Sequence, residues 1–280
     1  MSGAPDPIAG ASPIFWIASI AAFLALVMAL AWVAQRRSGK SGWADVAWTF
    51  GLGIAGAVLA IAPIGGHADA TRQSLVAALA LIWALRLGGH ILLRTLGGGE
   101  DPRYRQLALE WGEAFPRRLF WFLQLQAACA LLLALSIFAA AHSPAPALRW
   151  NDFAGIALLI AAITGEAMSD AQLMRFRSNP ANSKHICDTG LWALSRHPNY
   201  FFQWLGWLAY PVIAVDFSGG YGLGWLAVSG PLFMYWLLVH VSGVPPLEAH
   251  MLRSRGGAYR LYQARVNAFF PGLSRKESVS

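Results

Sequence analysis

Residues 118–141 read RLFWFLQLQAACALLLALSIFAAA, a run whose one charge, Arg118, stands at its first position. A helix that crosses the hydrocarbon core of a bilayer needs about 20 mostly apolar residues, and this stretch meets that length. Residues 13–34, PIFWIASIAAFLALVMALAWVA, do so without any charge. Working outward from these two, five further runs have comparable length: 44–63, 74–93, 153–171, 199–216 and 222–241, the last three interrupted by polar residues. The expected fold class is all-α, a polytopic membrane helix bundle of about seven transmembrane helices. The first run is not a signal peptide, because no Lys or Arg precedes it and its apolar stretch is too long.

Composition agrees. Of 280 residues, 56% are hydrophobic and 12% charged, with 13 Trp and 15 Phe. Soluble domains carry roughly 25% charged residues; so few charges do not cover a water-facing surface of this size. The net charge of +7 is topological rather than a nucleic-acid footprint. Of the 21 Lys and Arg, only Arg72 and Arg149 fall outside the connections after runs one, three and five and the C-terminal tail. That asymmetry follows the positive-inside rule. It puts the N-terminus outside, the C-terminus in the cytoplasm, and an odd number of crossings between them. Cys129 lies in a crossing and Cys187 in a connection, so no disulfide framework is expected.

One membrane domain, 13–271, is expected between flexible tails 1–12 and 272–280, and no internal repeat is visible. The outer connections, 63–71, 142–151 and 216–221, are short. The cytoplasmic ones are longer. After Gly97-Gly98-Gly99, Asp101-Pro102 reads as a helix start, so 102–115 is expected as an amphipathic interfacial helix. Residues 172–198 form the longest polar stretch. The tail 245–271 carries Glu248 and His250, with Arg255, Tyr259, Arg260, Tyr262 and Arg265 at near-helical spacing.

Gly51-Leu52-Gly53-Ile54-Ala55-Gly56 matches the dinucleotide pattern GxGxxG, but that pattern needs a strand before it. Inside an apolar run, small residues that allow close helix approach are the better reading. His185, Cys187 and His197 lack the further ligand that a zinc site needs; no metal is expected. Ionisable groups in crossings are costly and often functional. Asp45 opens the second run, Arg86 and His90 share a face of the third, and Glu166 and Asp170 share one near the end of the fifth. An Asp45–Arg86 ion pair or simple snorkelling stands as the structural alternative.

The densest constellation is 188–200, DTGLWALSRHPNY. Pro198 sits where the sixth run begins. A helix N-terminus favours anions, and Arg196 adds a fork that fits phosphate. Asn199 and Tyr200 offer hydrogen bonds, and Trp192 a stacking face. These are groups suited to a polyanion at the cytoplasmic membrane surface, or to anchoring in lipid headgroups.

At these residues the chain resembles the membrane reductases of the steroid 5-alpha-reductase and sterol C14-reductase superfamily, and more closely their bacterial relatives in a domain family of unknown function. The resemblance rests on Gly190-Leu191-Trp192, Arg196-His197-Pro198-Asn199-Tyr200, Ser169-Asp170, Arg175-Phe176-Arg177, and the tail from Pro246-Leu247-Glu248 through Tyr259, Tyr262 and Phe270-Pro271. It implies NADPH bound in a cytoplasm-facing cavity of a bacterial inner-membrane protein. The cofactor-binding positions it implies are Asp170, Arg177, Arg196, His197, Asn199, Tyr200, Gln203, Glu248 and Tyr259. Gln203 stands where relatives usually have Glu. The Gln-Glu pair and Tyr by which steroid reductases polarise their substrate are not found; Asp45 and Arg86 are the candidates for that catalytic role.

The expected activity is NADPH-dependent reduction of a carbon–carbon double bond in a lipid or steroid-like substrate, with no nucleic-acid partner. Two rivals stand beside it. One is an S-adenosylmethionine-dependent methyltransferase of the isoprenylcysteine carboxyl methyltransferase type, which shares an Arg-His-Pro-x-Tyr run. The other is a non-catalytic lipid-binding protein, suggested by Gln203 and the missing Tyr.

Overall fold

The computed structural model describes residues 12–64, 68–98 and 101–273. They are helical, with no strand among them. Six segments are long and apolar enough to cross a membrane: Pro13–Ser38, Gly42–Ile61, Ala70–Gly97, Arg103–Ala141, Trp150–Ser178 and Gly222–Arg255. That is the make-up of an integral membrane protein. The tails expected at 1–12 and 272–280 lie, apart from Ser12, Gly272 and Leu273, outside the described residues, as do Gly99 and residues 65–67 of the first outer connection.

Helix starts follow local chemistry. α1 (Pro13–Ser38) begins after Ser12, whose hydroxyl accepts the Phe15 amide at 3.3 Å. α2 spans Gly42–Ile61, and α3 (Ala70–Gly97) is capped by the Asp69 carboxylate on the Arg72 amide, 2.9 Å. α4 (Pro102–Trp111) has Asp101 on the Arg103 amide, 2.9 Å, the start expected from Asp101-Pro102. A short 3-10 turn leads into α5 (Phe115–Ala141), and α6 runs Trp150–Ser178. These side chains satisfy amides that a helix leaves without partners.

Beyond α6 the apolar pattern and the helices diverge. The expected crossing 199–216 forms two short helices, α7 (Pro198–Trp207) and α8 (Ala209–Ala214). Pro211 explains the break: it has no amide to give the carbonyl of Trp207, four residues back, and its ring crowds that carbonyl. Residues 222–241 contain a 3-10 stretch, α9 (Ser229–Trp236) and a π turn to Val241. α10 (Val244–Arg255) and α11 (Gly257–Arg265) follow.

The chain divides into two compact units. The first comprises everything up to Ile156 together with Tyr210–Gly230. Its core is the packing of α2 on α1, α3 and α5. A Cβ on Gly53 would collide with Ala84 of α3, and one on Gly56 with Ile137 of α5. The GxGxxG run is therefore a close-approach surface, as small residues in apolar helices permit. The second unit comprises Ala157–Ala209 and the chain from Pro231. There Gly206 meets Leu159 and Ala162, Phe269 meets Phe201, Trp204 and Tyr235 edge to face, and Tyr235 stacks on Phe270.

Candidate functional site

Most of the expected site residues fall in the second unit. The segment leading to α7 starts at Gly190, whose φ of 63° belongs to the left-handed region that only glycine enters at little cost. A Cβ there would also stand 2.7 Å from Gln172 Oε1. That oxygen instead accepts the Leu191 amide at 3.0 Å. The short turn Gly190–Ala193 then buries Trp192, whose indole donates to the Ser169 carbonyl at 3.0 Å. The Trp192 carbonyl accepts the Tyr262 hydroxyl at 2.5 Å. Ser195, fully buried, donates to the Phe269 carbonyl (2.8 Å) and receives the His197 amide (3.2 Å). The segment before α7 is thus stitched to the C-terminal tail.

Arg196 and Glu248 make the centre of this unit. Arg196 Nε donates to Glu248 Oε1 at 2.7 Å, with Nη2 equally close to that oxygen. Nη1 donates to the carbonyls of Gln263 (3.2 Å) and Val266 (2.5 Å). Four of the five N–H groups of the guanidinium are spent on the chain itself. The fork expected to face a phosphate is a clamp on the tail. Glu248 further accepts Gln263 Nε2 at 2.8 Å and stands 3.2 Å from His197 Nε2. Tyr259 is buried beside them against Tyr262 and Val266. Burial pushes the Tyr259 phenol well up, and the charge of Glu248 adds to the effect.

His197 is buried and lies flat on the Tyr200 ring, centroids 5.6 Å apart. Burial lowers its pKa below the ordinary imidazole value, against the pull of Glu248 and with that of Arg196. Asn199 bridges two elements: its carbonyl oxygen takes the Tyr200 amide at 3.0 Å, and its amide donates to Asp170 Oδ1 of α6 at 3.3 Å. Glu166, Asp170 and Arg177 lie along one face of α6 by helical spacing. Gln203 is buried one turn after Asn199.

Arg196, His197, Glu248 and Tyr259 therefore meet, and Asp170 meets Asn199. Gln263 was not anticipated, although its spacing of four from Tyr259 put both on one face of α11. Asp45 and Arg86 belong to the first unit. Asp45 forms a close ion pair with Arg103, accepts the Tyr104 hydroxyl at 3.1 Å, and has Arg94 at 3.8 Å. Its close partner thus comes from α4. Arg86 and His90 are half-buried on α3. Among the described residues no group of three or more His, Cys, Asp or Glu is placed to hold a metal ion. His185 is exposed, one nitrogen 3.0 Å from the Ala181 carbonyl.

Fold and site together define an all-α protein of membrane-crossing helices whose tail is bound back onto the start of α7 by an arginine–glutamate clamp. Residues 31–266 match the family described as "Protein of unknown function (DUF1295)", and the chain belongs to that family. Neither the curated proteins nor the solved structures contain a match to it.

Proposed function

We propose that this protein is an NADPH-dependent reductase of a carbon–carbon double bond in an apolar substrate dissolved in the membrane. The observation that carries the reading is the polar edge joining α6 to α7. Asn199 holds Asp170 at the first turn of α7, on the face of α6 that also bears Arg177. A hydrogen-bonded carboxylate and a guanidinium on one helix face, beside the N-terminal turn of a second helix, suit the ribose hydroxyls and phosphates of a dinucleotide. The resemblance to the reductases supports the same choice.

The residues fit that group in part. Arg177 is exposed and Asp170 half-buried. Arg196, spent on Glu248 and two carbonyls, instead fixes the tail. The cofactor would supply the hydride. Arg177 and the first turn of α7 would bind phosphate; Asp170 and Asn199 would orient a ribose; Tyr200, backed by His197, would offer a ring face. Asp45 and Arg86 are proposed to steady charge developing on the substrate.

The same reading takes seven crossings, with α7 and α8 together as the broken one. It puts the N-terminus outside, the C-terminus in the cytoplasm, and the protein in a bacterial inner membrane as one domain. Charge asymmetry along the sequence supports the orientation.

Titration of the purified full-length protein with NADPH tests this. Micromolar binding is expected, weakened about tenfold by Arg177→Ala, the loss of one charge-assisted contact. Asp45→Asn and Arg86→Met are expected to keep that binding and lose turnover. Wild-type protein that ignores NADPH, or is stabilised by S-adenosylmethionine instead, would overturn the reading.

A further inference from the structure

The elbow between α4 and α5, in the first unit, holds a cavity of about 470 Å³ lined by Trp111, Ala114, Arg117, Arg118, Trp121 and Phe122. The reductase reading uses none of these residues. Its volume lies within the usual range of small-molecule sites, about 300–1,000 Å³.

Two properties of the lining point in different chemical directions. Arg117 and Arg118 are adjacent, exposed and in the first turn of α5, which holds no acidic residue. Among the described residues neither forms an ion pair, although Glu113 is close in sequence. Two neighbouring guanidiniums repel each other, and cations at a helix N-terminal turn oppose its dipole. An anion between them relieves both costs, and a phosphate matches the guanidinium fork.

The other wall is aromatic. Trp111 and Phe122 meet edge to face at 6.1 Å, and Trp121 is 64% exposed. Beyond them α5 runs on as one of the segments apolar enough to cross a membrane. Tryptophans next to arginines at the end of such a segment mark the boundary between headgroups and acyl chains. A ligand that satisfies both walls carries a phosphate at one end and hydrocarbon at the other.

We propose that this cavity binds an anionic glycerophospholipid, its phosphate between Arg117 and Arg118 and the first methylenes of its chains against Trp121 and Phe122. The volume suits a headgroup and glycerol backbone, with the acyl chains continuing along α5. Free inorganic phosphate would satisfy the arginines alone, and a zwitterionic lipid chiefly the aromatic wall.

The test is thermal unfolding of the full-length protein in detergent with added phosphatidylglycerol, phosphatidylcholine or inorganic phosphate. Phosphatidylglycerol is expected to raise the midpoint by about 3 °C or more, and the other two far less. The double variant Arg117→Gln/Arg118→Gln is expected to lose that response. Equal stabilisation by phosphatidylcholine, or full stabilisation by phosphate alone, overturns the proposal, as does a double variant that responds like wild type. Should the double variant not fold, tryptophan quenching by brominated phosphatidylglycerol decides: Trp121→Phe must remove a measurable share of it, and unchanged quenching sinks the idea.

Discussion

Two arginines, one in each unit, are held by a carboxylate and a row of backbone carbonyls, yet their surroundings differ. Arg72 and Asp152 are both fully buried. Nε and Nη2 of Arg72 reach the two carboxylate oxygens at 2.9 and 3.1 Å. Nη1 takes the carbonyls of Ser143 (3.2 Å) and Ala145 (2.7 Å), and Nη2 that of Ala147. Asp152 also accepts the Arg149 amide at 2.6 Å. All five N–H groups of the guanidinium are used, and apart from Asp152 every partner is backbone. Arg196 and Glu248 keep 10% and 16% exposure, and the carboxylate is shared with His197 and Gln263. One arrangement staples a loop; the other gathers side chains that can change their protonation or their partner. Arginine–carboxylate pairing alone is therefore a poor sign of function. What stands beside the pair decides.

The largest effect expected from this contrast is at Asp152. Asp152→Ala leaves a buried guanidinium without its counter-charge, which costs about 3–5 kcal/mol. The outcome to look for is loss of folded, monodisperse protein after extraction into detergent. Replacing both partners by apolar residues, Arg72→Met with Asp152→Leu, should recover part of the loss, because no fully buried charge is left unpaired, although Arg149, whose Nε lies 4.0 Å from Asp152, loses that carboxylate. If Asp152→Ala were tolerated as well as a surface change, the distinction between the two clamps would collapse.

How much of this could be read in the sequence depended on distance along the chain. The long crossings were legible because hydropathy is a property of a run, and the start of α4 because Asp101-Pro102 acts within one turn. The break after Trp207 went unread, because the apolar content of 199–216 masked the meaning of Pro211. Arg72 and Asp152 are 80 residues apart; sequence set Arg72 and Arg149 aside as basic residues on the outer side and could not pair them. At the site, Arg196, His197, Glu248 and Tyr259 were on one list and meet in one cluster. The part expected of Arg196 changed, because carbonyls from Gln263 and Val266 compete for its fork and nothing local reveals them.

A middle-sized effect belongs to Glu248. Glu248→Ala should cost roughly 1–3 kcal/mol, the range for leaving partly buried hydrogen-bonding partners unmet, and less than the change at Asp152 because water reaches this pair. The loss should be local. Hydrogen exchange in 257–266 should speed up, while residues 143–149, held by Arg72, keep their protection. Glu248→Gln, which still accepts hydrogen bonds, should fall between wild type and Ala. A Glu248→Ala protein whose two segments lose protection together would mean that the clamps are not independent.

The smallest effect is one of slope. His197 is buried beside Arg196, Glu248 and Tyr200, and burial lowers its pKa from the ordinary 6.5. A folded-state pKa below the unfolded one means the unfolded chain takes up the proton first as pH falls. The stability contributed by neutral His197 is thus complete above about pH 6.5 and is lost progressively below it, towards the folded-state pKa. His197→Gln keeps a hydrogen-bonding group beside Glu248 but cannot titrate. Its melting temperature sits at a constant offset from wild type above that pH, because loss of the stack on Tyr200 does not depend on protons. Below about pH 6.5 the two curves should converge, wild type falling faster. The other histidines are common to both proteins, so the difference isolates this one. Parallel curves there would show that folding does not depress the imidazole's pKa; a wild type that gains on the variant as pH falls towards 6.5 would show that Glu248 holds the imidazole charged in the folded protein, and the clamp in the second unit would then be as fixed as the one in the first.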